Sequence, residues 1–351
     1  MSGKTMIRTV LRGPKDIYLE RSEIPSIGPD EVLVRLRAGA LCTWEQRTYQ
    51  GIAKNYPLLG GHESAGTVEA VGSQVLTKVK VGDKVAVAFL TRCMQCESCR
   101  RGYTNICDNL RAGDEPGKPF GPGGLSQYAV VKGYQVYKLA DHLSFAEGSL
   151  AEPLACVVHS VRRANIQPGE TVVIVGAGIM GLFHLLLAKE RGARVVVSEL
   201  IELRREMAQR LGADAVIDPH KENYVQQVRE LTDGWGADVT FCAIGVSQII
   251  EEAVQAAAKR GRVMVYAAVY PHGSTITLDP NLFHHREIVL TGSMSQDQDD
   301  FQQAVNLLNT GALDVKPFIS KVFPLGQIEA AFQASLSLDT YRVIVDPWDG
   351  A

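Results

Sequence analysis

One stretch of the sequence, residues 172–181, most strongly limits what this chain can fold into. It begins with the apolar run Val-Val-Ile-Val and continues as a G-x-G-x-x-G pattern ahead of a helix-like segment. In that setting the first glycine permits a tight turn, the second lets the backbone approach a pyrophosphate, and the third lets a helix pack closely on the strand. The pattern therefore predicts a dinucleotide-binding turn made of six residues: Gly176, Ala177, Gly178, Ile179, Met180 and Gly181.

An acidic residue, Glu199, favours NAD as the dinucleotide. It follows the apolar run 194–198, eighteen residues after Gly181. A carboxylate there accepts hydrogen bonds from ribose hydroxyls and repels a 2′-phosphate. Arg204 and Arg205 would face such a phosphate if Glu199 turned away, so we include Arg204 among the cofactor contacts. Two alternatives stay open: Glu199 only caps the next helix, or the strand–helix unit binds nothing.

The pattern of hydrophobic residues divides the chain into regions with different predicted secondary structure. From Gly169 on, apolar runs alternate with helix-like segments, which predicts an α/β fold with a doubly wound parallel sheet. The preceding residues show short, partly alternating strand patterns separated by Gly, Pro and Asp. We expect a β-rich domain over 1–157, a nucleotide domain over 158–294, and a C-terminal segment, 295–351, that returns to the first domain.

Composition argues against two classes of partner. The 351 residues carry 36 basic and 39 acidic side chains, a formal net charge of −3, so no positive surface points to nucleic acid. The longest apolar run, 172–188, contains three glycines and a histidine and is shorter than the roughly 20 residues of a membrane span. Residues 1–8 lack the apolar segment of a targeting signal. We expect a cytoplasmic protein with neither a nucleic-acid nor a membrane partner.

Four of the seven cysteines form a cluster at residues 93, 96, 99 and 107. An odd total crowded in this way is a poor disulfide framework and is typical of a metal site in a reducing compartment. Four thiolates at this spacing close a tetrahedral zinc site with no open position, which predicts a structural zinc on Cys93, Cys96, Cys99 and Cys107. An iron–sulfur cluster and free buried thiols are the alternatives.

A second set of ligand types is spread over the β-rich region, at Cys42, His62, Glu63 and Glu152. Each has an ordinary explanation on its own: a small buried side chain, a core histidine, a salt bridge, or a cap for the helix that Pro153 begins. Together with the glycine turn and the cysteine cluster, however, they form a combination that is highly specific.

Over residues 6 to about 347 the chain resembles the zinc-dependent alcohol dehydrogenases of the medium-chain dehydrogenase/reductase superfamily, nearest the polyol (sorbitol-like) and threonine dehydrogenases. The residues that carry the resemblance are Cys42, Gly61-His62-Glu63, 93–107, Ala151-Glu152-Pro153-Leu154-Ala155 and 176–181. It implies a GroES-like catalytic domain, a Rossmann NAD-binding domain, one catalytic and one structural zinc per chain, and a homodimer or homotetramer.

The resemblance also implies catalytic roles. Cys42 and His62 would bind the catalytic zinc, Glu63 would be the third ligand or alternate with water, and Glu152 would sit beside the metal. Zinc polarises the alcohol oxygen, and hydride passes to the nicotinamide, which leaves a ketone or aldehyde.

One departure from the family pattern concerns the proton relay. Trp44 stands where the family usually has Ser or Thr, and an indole N–H donates but cannot accept a proton. Thr43 lies one position early, and Arg47 stands where a relay histidine is often found. The alcohol proton would then leave through Glu63 or Glu152 and water, or through the substrate's own hydroxyls. We expect Trp44, Glu45 and Arg47 at the mouth of the substrate pocket, although some of these polar groups could pair only with one another.

These observations predict an NAD-dependent oxidoreductase that interconverts a secondary alcohol, on a polyol or sugar-like substrate, and its ketone. The alternative enzyme is threonine-dehydrogenase-like and oxidises a 2-amino-3-hydroxy acid. A non-enzymatic NAD-binding protein is the remaining class, which the presence of both Cys42 and His62 disfavours.

Overall fold

The computed structural model describes residues 5–110, 119–221 and 223–348. The strands, in chain order, are β1 Thr5–Gly13, β2 Asp16–Glu23, β3 Glu31–Ala40, β4 Glu63–Val71, β5 Lys84–Ala88, β6 Tyr128–Lys132, β7 Val136–Lys138, β8 Thr171–Val175, β9 Arg194–Ser198, β10 Ala215–Ile217, β11 Ala237–Cys242, β12 Ala257–Val265, β13 Val289–Gly292, β14 Ile319–Pro324 and β15 Arg342–Asp346. The α-helices are α1 Thr43–Tyr49, α2 Glu97–Arg100, α3 Phe145–Ser149, α4 Ala151–Ala164, α5 Ile179–Glu190, α6 Glu202–Arg210, α7 Tyr224–Glu230, α8 Ser247–Ala256, α9 Pro280–Arg286, α10 Gln298–Thr310 and α11 Ile328–Ser335.

The chain forms two compact units. One combines the residues up to Ala155 with those from Gln296 onward, and the other is Cys156–Ser295. The C-terminal part of the chain therefore shares a unit with the N-terminal strands.

The first unit is built on a seven-stranded sheet in the order β14-β15-β3-β4-β5-β7, and β6 pairs with the first half of β3. The end of β3 lies between two strands that are distant in sequence, because Ala40 is opposite both Glu63 of β4 and Ile344 of β15. This register brings Cys42, which follows β3, close to the start of β4 and the start of β15. Buried valine and leucine side chains of β3, β4 and β5 form the core of this sheet.

The second unit confirms the predicted doubly wound parallel sheet. Its six strands follow the order β10-β9-β8-β11-β12-β13, and all pairs are parallel. The central strand β8 is buried on both faces, as an unbroken Val-Val-Ile-Val run requires. The long apolar run 172–188 is thus a strand, a glycine turn and a helix. Within the described ranges, no helix is long and apolar enough to cross a membrane.

Candidate active site

Three separate segments of the first unit bring four polar side chains together. Cys42 is the N-cap residue of α1, His62 immediately precedes β4, Glu63 is the first residue of β4, and Glu152 is in the first turn of α4. The sulfur of Cys42, a ring nitrogen of His62 and a carboxylate oxygen of Glu63 all lie within 4.8 Å of one another. Nε2 of His62 is 4.0 Å from Oε2 of Glu152. The structure therefore brings together all four residues predicted to surround a catalytic metal.

Gly61, the residue before His62, is required by the close approach of another loop. Its φ angle is +92°, and a Cβ atom there would lie 2.4 Å from the backbone nitrogen of Leu125. Any side chain at this position would push the two segments apart. Glycine therefore allows the close backbone approach that positions His62 in the site.

Glu45 holds the imidazole of His62 in one orientation. Its Oε1 is 2.8 Å from Nδ1 of His62 and also accepts the backbone N–H of Gly61 at 2.8 Å. A carboxylate on Nδ1 keeps the proton there and leaves the lone pair of Nε2 free for a metal. Glu45 itself is only 1% exposed. This position differs from the expected one at the pocket mouth, because the carboxylate is turned inward to pair with His62.

Glu63 is held by an arginine that the sequence reasoning missed. Arg342, the first residue of β15, donates from Nε to Oε2 of Glu63 at 2.9 Å and from Nη2 to Oε1 at 2.8 Å. Both side chains are buried. Burial opposes the guanidinium charge, but the Glu63 carboxylate outweighs it, so the pKa of Arg342 lies above its ordinary value. No local sequence pattern links two residues that are 279 positions apart.

The charges around His62 favour a cation at Nε2. Burial opposes a charged imidazole, yet Glu45 and Cys42 together raise the pKa of His62 well above its ordinary value. Burial, followed by the nearby Glu63 charge, raises the pKa of the Cys42 thiol. A metal ion on Nε2 would replace the proton that this environment attracts. Thiolate, imidazole and carboxylate are the donors that zinc prefers, so this donor set fits zinc.

The four cysteines of the predicted structural site also converge. Their sulfur atoms all lie within 4.8 Å of one another. Backbone N–H groups point at the sulfurs, including those of Cys96 and Gln95 toward Cys93 at 3.3 and 3.4 Å. The side-chain amide of Asn109 and these N–H groups lower the pKa of Cys93 to about 6. Burial raises the pKa of the Cys99 thiol to about 12, so thiolate stabilisation is not shared by the whole cluster. Four converging cysteine sulfurs nevertheless fit a closed tetrahedral zinc site.

The glycine turn of the second unit has the geometry that its pattern predicts. Gly176 has a φ angle of +102°, which a side chain would disfavour. A Cβ on Gly181 would lie 1.8 Å from the carbonyl oxygen of Gly176, so only glycine lets α5 pack this closely on the turn. Gly178 is the N-cap of α5 and faces open space, whereas Ile179 and Met180 begin that helix. The free N–H groups of this helix end are suited to a pyrophosphate.

Glu199 directly follows β9 and stabilises this turn through hydrogen bonds. Its Oε2 accepts the N–H of Ala177 at 2.7 Å, and its Oε1 accepts the N–H of Ile201 at 2.9 Å. The carboxylate keeps further lone pairs for ribose hydroxyls. Arg205 pairs with Asp218 at 3.0 Å and also donates to the carbonyl of Glu199, and Arg204 is half-buried in the first turn of α6.

The remaining predicted site residues occupy α1. Thr43 is exposed at its first position, and Arg47 is half-buried near its end. Trp44 is half-buried, and its indole ring is 5.7 Å from the imidazole of His62, with an angle of 70° between the two planes. Of the residues expected around a substrate, Trp44 and Glu45 therefore reach the metal-ligand cluster.

Comparisons with known proteins agree with this geometry. The family model described as the alcohol dehydrogenase GroES-like domain matches residues 28–141, and the model of zinc-binding dehydrogenases matches residues 179–310. D-arabitol-phosphate dehydrogenase from Enterococcus avium is 30% identical over 331 residues, which cover 92% of each chain. The 2-dehydro-3-deoxy-L-galactonate 5-dehydrogenase of Pseudoalteromonas atlantica is 35% identical over 88% of this chain and 89% of its own.

A solved structure shows the same fold. The Sinorhizobium meliloti 1021 protein bound to NADP is 28% identical and superposes with a TM-score of 0.90, covering 98% of this chain and 100% of its own. Matches to both domain models and extensive identity to dehydrogenases lead to one conclusion. The chain is an oxidoreductase that belongs to the zinc-dependent alcohol dehydrogenase family of the medium-chain dehydrogenase/reductase superfamily.

Proposed function

We propose that this protein interconverts a secondary alcohol of a polyol or sugar-like substrate and its ketone, with NAD as the hydride carrier. The observation that carries the proposal is the cluster of Cys42, His62, Glu63 and Glu152, in which Glu45 contacts Nδ1 of His62 and Nε2 lies 4.0 Å from Oε2 of Glu152. A cluster with this donor set suits an electrophilic metal that binds an alcohol oxygen.

Within this cluster we assign the zinc ligands to Cys42, His62 and Glu152. Both oxygens of Glu63 already accept hydrogen bonds from Arg342, which draws electron density from that carboxylate. Oε2 of Glu152 lies 4.0 Å from Nε2 of His62, so we assign Glu152 as the third ligand. Three protein ligands leave one position for the substrate oxygen. When bound, zinc supplies Lewis-acid polarisation of the alcohol.

The other residues act by holding these groups in place. Glu45 keeps His62 in the tautomer that presents Nε2, and Arg342 neutralises Glu63 so that the site does not carry an excess of negative charge. Trp44 donates but cannot accept a proton, so the alcohol proton leaves through water or through substrate hydroxyls rather than through residue 44. The cysteines at positions 93, 96, 99 and 107 would hold a second, structural zinc.

We assign the dinucleotide to the turn Gly176–Gly181 and favour NAD over NADP. The NADP found in the Sinorhizobium meliloti relative supports a nicotinamide dinucleotide at this turn. In this chain, however, Glu199 places a negative charge beside the turn, and Arg205 is committed to Asp218. A 2′-phosphate would meet that carboxylate, whereas ribose hydroxyls would donate to it. The names of the two curated relatives specify polyhydroxylated substrates, which supports a polyol here.

Metal content and turnover test this function together. The purified protein should contain two zinc ions per chain and reduce NAD with polyols such as sorbitol, xylitol and D-arabitol. Cys42→Ser should retain one zinc and lose activity by at least about a thousandfold, because the electrophile is lost. Cys242→Ser, which changes a buried cysteine of the second unit, is the matched control and should keep both zinc ions. Full activity of Cys42→Ser, or turnover restricted to short aliphatic alcohols, would refute the proposal.

We further propose a homo-oligomer that works in the reducing cytoplasm. None of the seven cysteines forms a disulfide, which suits that compartment. Strand β13 pairs only with β12 in the part of the chain that the structure describes, so its other edge is available to a second copy. Light scattering should give a multiple of the 38.2 kDa chain mass, and a monomer would contradict the oligomer.

A further inference from the structure

Trp44 is the aromatic residue that contacts the metal-ligand cluster. It is the second residue of α1, two positions after Cys42, and its ring meets that of His62 nearly edge-on at 5.7 Å. A substrate whose reacting oxygen lies next to Nε2 of His62 therefore has the indole as a close neighbour.

The indole is held firmly in this position. Its ring packs against a buried apolar cluster that includes Leu41, Tyr49 and Leu58, and its backbone carbonyl accepts the hydroxyl of Thr48 at 3.0 Å. A side chain anchored in this way presents a fixed surface and loses little conformational entropy when a ligand binds.

The indole N–H of Trp44 is an open donor. Among the residues that the structure describes, nothing accepts it. The other two tryptophans differ: the N–H of Trp348 donates to the carbonyl of Leu36 at 2.6 Å, and that of Trp235 donates to Asp238 at 3.0 Å. An indole N–H usually finds a partner when it is buried, so a ligand that covers this donor beside His62 must supply an acceptor.

We propose that Trp44 makes this site selective for vicinal diols. Its N–H donates to the hydroxyl oxygen on the carbon next to the one that is oxidised, and its ring packs against the C–H groups of the same carbon. This inference rests on the proposed function and adds the substrate class that the site selects. A monoalcohol that covers the N–H would exclude water from it without supplying an acceptor, and a site left with an unpaired donor discriminates against such a ligand.

Two probes with the same carbon skeleton test the proposal, namely 2,3-butanediol and 2-butanol. The variant Trp44→Phe keeps an aromatic ring and removes the donor. Its kcat/KM for 2,3-butanediol should fall about fivefold or more, mainly through KM, while that for 2-butanol should stay within about twofold. Trp235→Phe removes an exposed tryptophan of the second unit and is the matched control, with both values unchanged.

A measurement on the unaltered sequence guards against misfolding of the variant. The zinc-loaded protein labelled with 5-fluorotryptophan should give one fluorine resonance for each of its three tryptophans. The Trp44 resonance should shift when 2,3-butanediol is added and should not shift with equal 2-butanol. The labelled Trp235→Phe and Trp348→Phe proteins assign the other two resonances.

The outcomes separate two failures. If the wild-type protein oxidises no polyol, the proposed function is wrong and this inference falls with it. Three other outcomes overturn only the inference about Trp44. They are oxidation of polyols without oxidation of 2,3-butanediol, an equal loss of turnover of both probes in Trp44→Phe, and no shift of the Trp44 resonance when the diol is added.

Discussion

Arg342 forms a two-point ion pair with Glu63 in the interior of the first unit, with N–O distances of 2.8 and 2.9 Å. The two side chains are 3% and 1% exposed. The pair joins the first residue of β4, which directly follows His62, to the first residue of β15, a strand contributed by the C-terminal segment. It fixes Glu63 beside Cys42 and His62 and offsets one of the negative charges that accumulate there.

Removal of this arginine should destabilise the protein strongly. Arg342→Gln leaves Glu63 buried without a compensating charge, which should cost about 3–5 kcal/mol in the free energy of unfolding. Urea denaturation measures this loss. Replacement of both partners, as Glu63→Gln with Arg342→Gln, should cost less than the sum of the single changes.

The control is an exposed pair of the same kind. Arg12 and Asp16 are 3.0 Å apart, and both are about half exposed. Arg12→Gln should cost less than about 1 kcal/mol. Equal losses in the free energy of unfolding for Arg342→Gln and Arg12→Gln would contradict the prediction that burial makes the Arg342–Glu63 pair the stronger stabiliser.

The carboxylate of Glu45 should tune zinc affinity without binding the metal. Glu45→Gln removes the carboxylate charge next to Nδ1 of His62, which makes Nε2 a weaker metal ligand. The affinity for the catalytic zinc should therefore fall about 10–100-fold. Competition with a chromophoric chelator measures this affinity. The zinc on the four cysteines serves as an internal control, because Glu45 does not contact that site. Unchanged release of the catalytic zinc from Glu45→Gln would contradict the assigned role.

The charge of Glu199 should set the choice between NAD and NADP. Glu199→Gln keeps one acceptor oxygen for the N–H groups of Ala177 and Ile201 but removes the repulsion of a 2′-phosphate. The ratio of NADP to NAD affinity should therefore rise about tenfold or more. Titration of both dinucleotides by fluorescence gives the ratio. The control Glu202→Gln changes an exposed acid nearby and should leave the ratio unaltered.

A buried histidine of the second unit should make the fold sensitive to acid. Burial lowers the pKa of His184 to about 4 from an ordinary 6.5, although its hydrogen bond to Met180 favours the charged form. Between pH 4 and pH 6.5, His184 is protonated in the unfolded chain but stays neutral in the folded protein. The free energy of unfolding therefore falls as the pH is lowered through 6.5.

The contribution of His184 can be isolated by a variant that does not titrate. His184→Gln should remove about 2 kcal/mol of the stability loss between pH 7 and pH 5. Denaturation curves at the two pH values measure the difference. His220→Gln, at an exposed position, should retain the full loss. Parallel curves for wild type and His184→Gln would rule out His184 as the source.

Local patterns predicted the second unit closely. The strands expected at 171–175 and 194–198 are β8 and β9 without change, because unbroken apolar runs beside a glycine turn have few alternatives in a parallel sheet. The pattern Gly-Arg-Val-Met-Val-Tyr at 261–266 predicts a strand, and the observed strand β12 begins four residues earlier, at Ala257. In the first unit, by contrast, no local pattern reveals that β15 joins the sheet beside β3, because Ile344 pairs with Ala40 from the other end of the chain.

The prediction of site residues also succeeded where local patterns sufficed and failed where long-range contacts decide. Residue types and the family resemblance selected Cys42, His62, Glu63 and Glu152, and the structure brings these four side chains together. The position of Glu45 was expected wrongly at a pocket mouth, since spacing along α1 does not reveal which carboxylate an imidazole will select. Arg342 was missed altogether, because its role exists only where β15 joins the sheet.

By itself, the sequence determined the glycine turn, the two sets of metal-ligand types and the parallel sheet, since each depends on a handful of neighbouring residues. Only the tertiary structure decided which partner each buried carboxylate takes: Glu45 pairs with His62, Glu63 with Arg342, and Glu152 faces Nε2. The physical reason is that a buried charge must be paired or bind a metal, and the choice among partners depends on chain segments that only the folded sheet brings together.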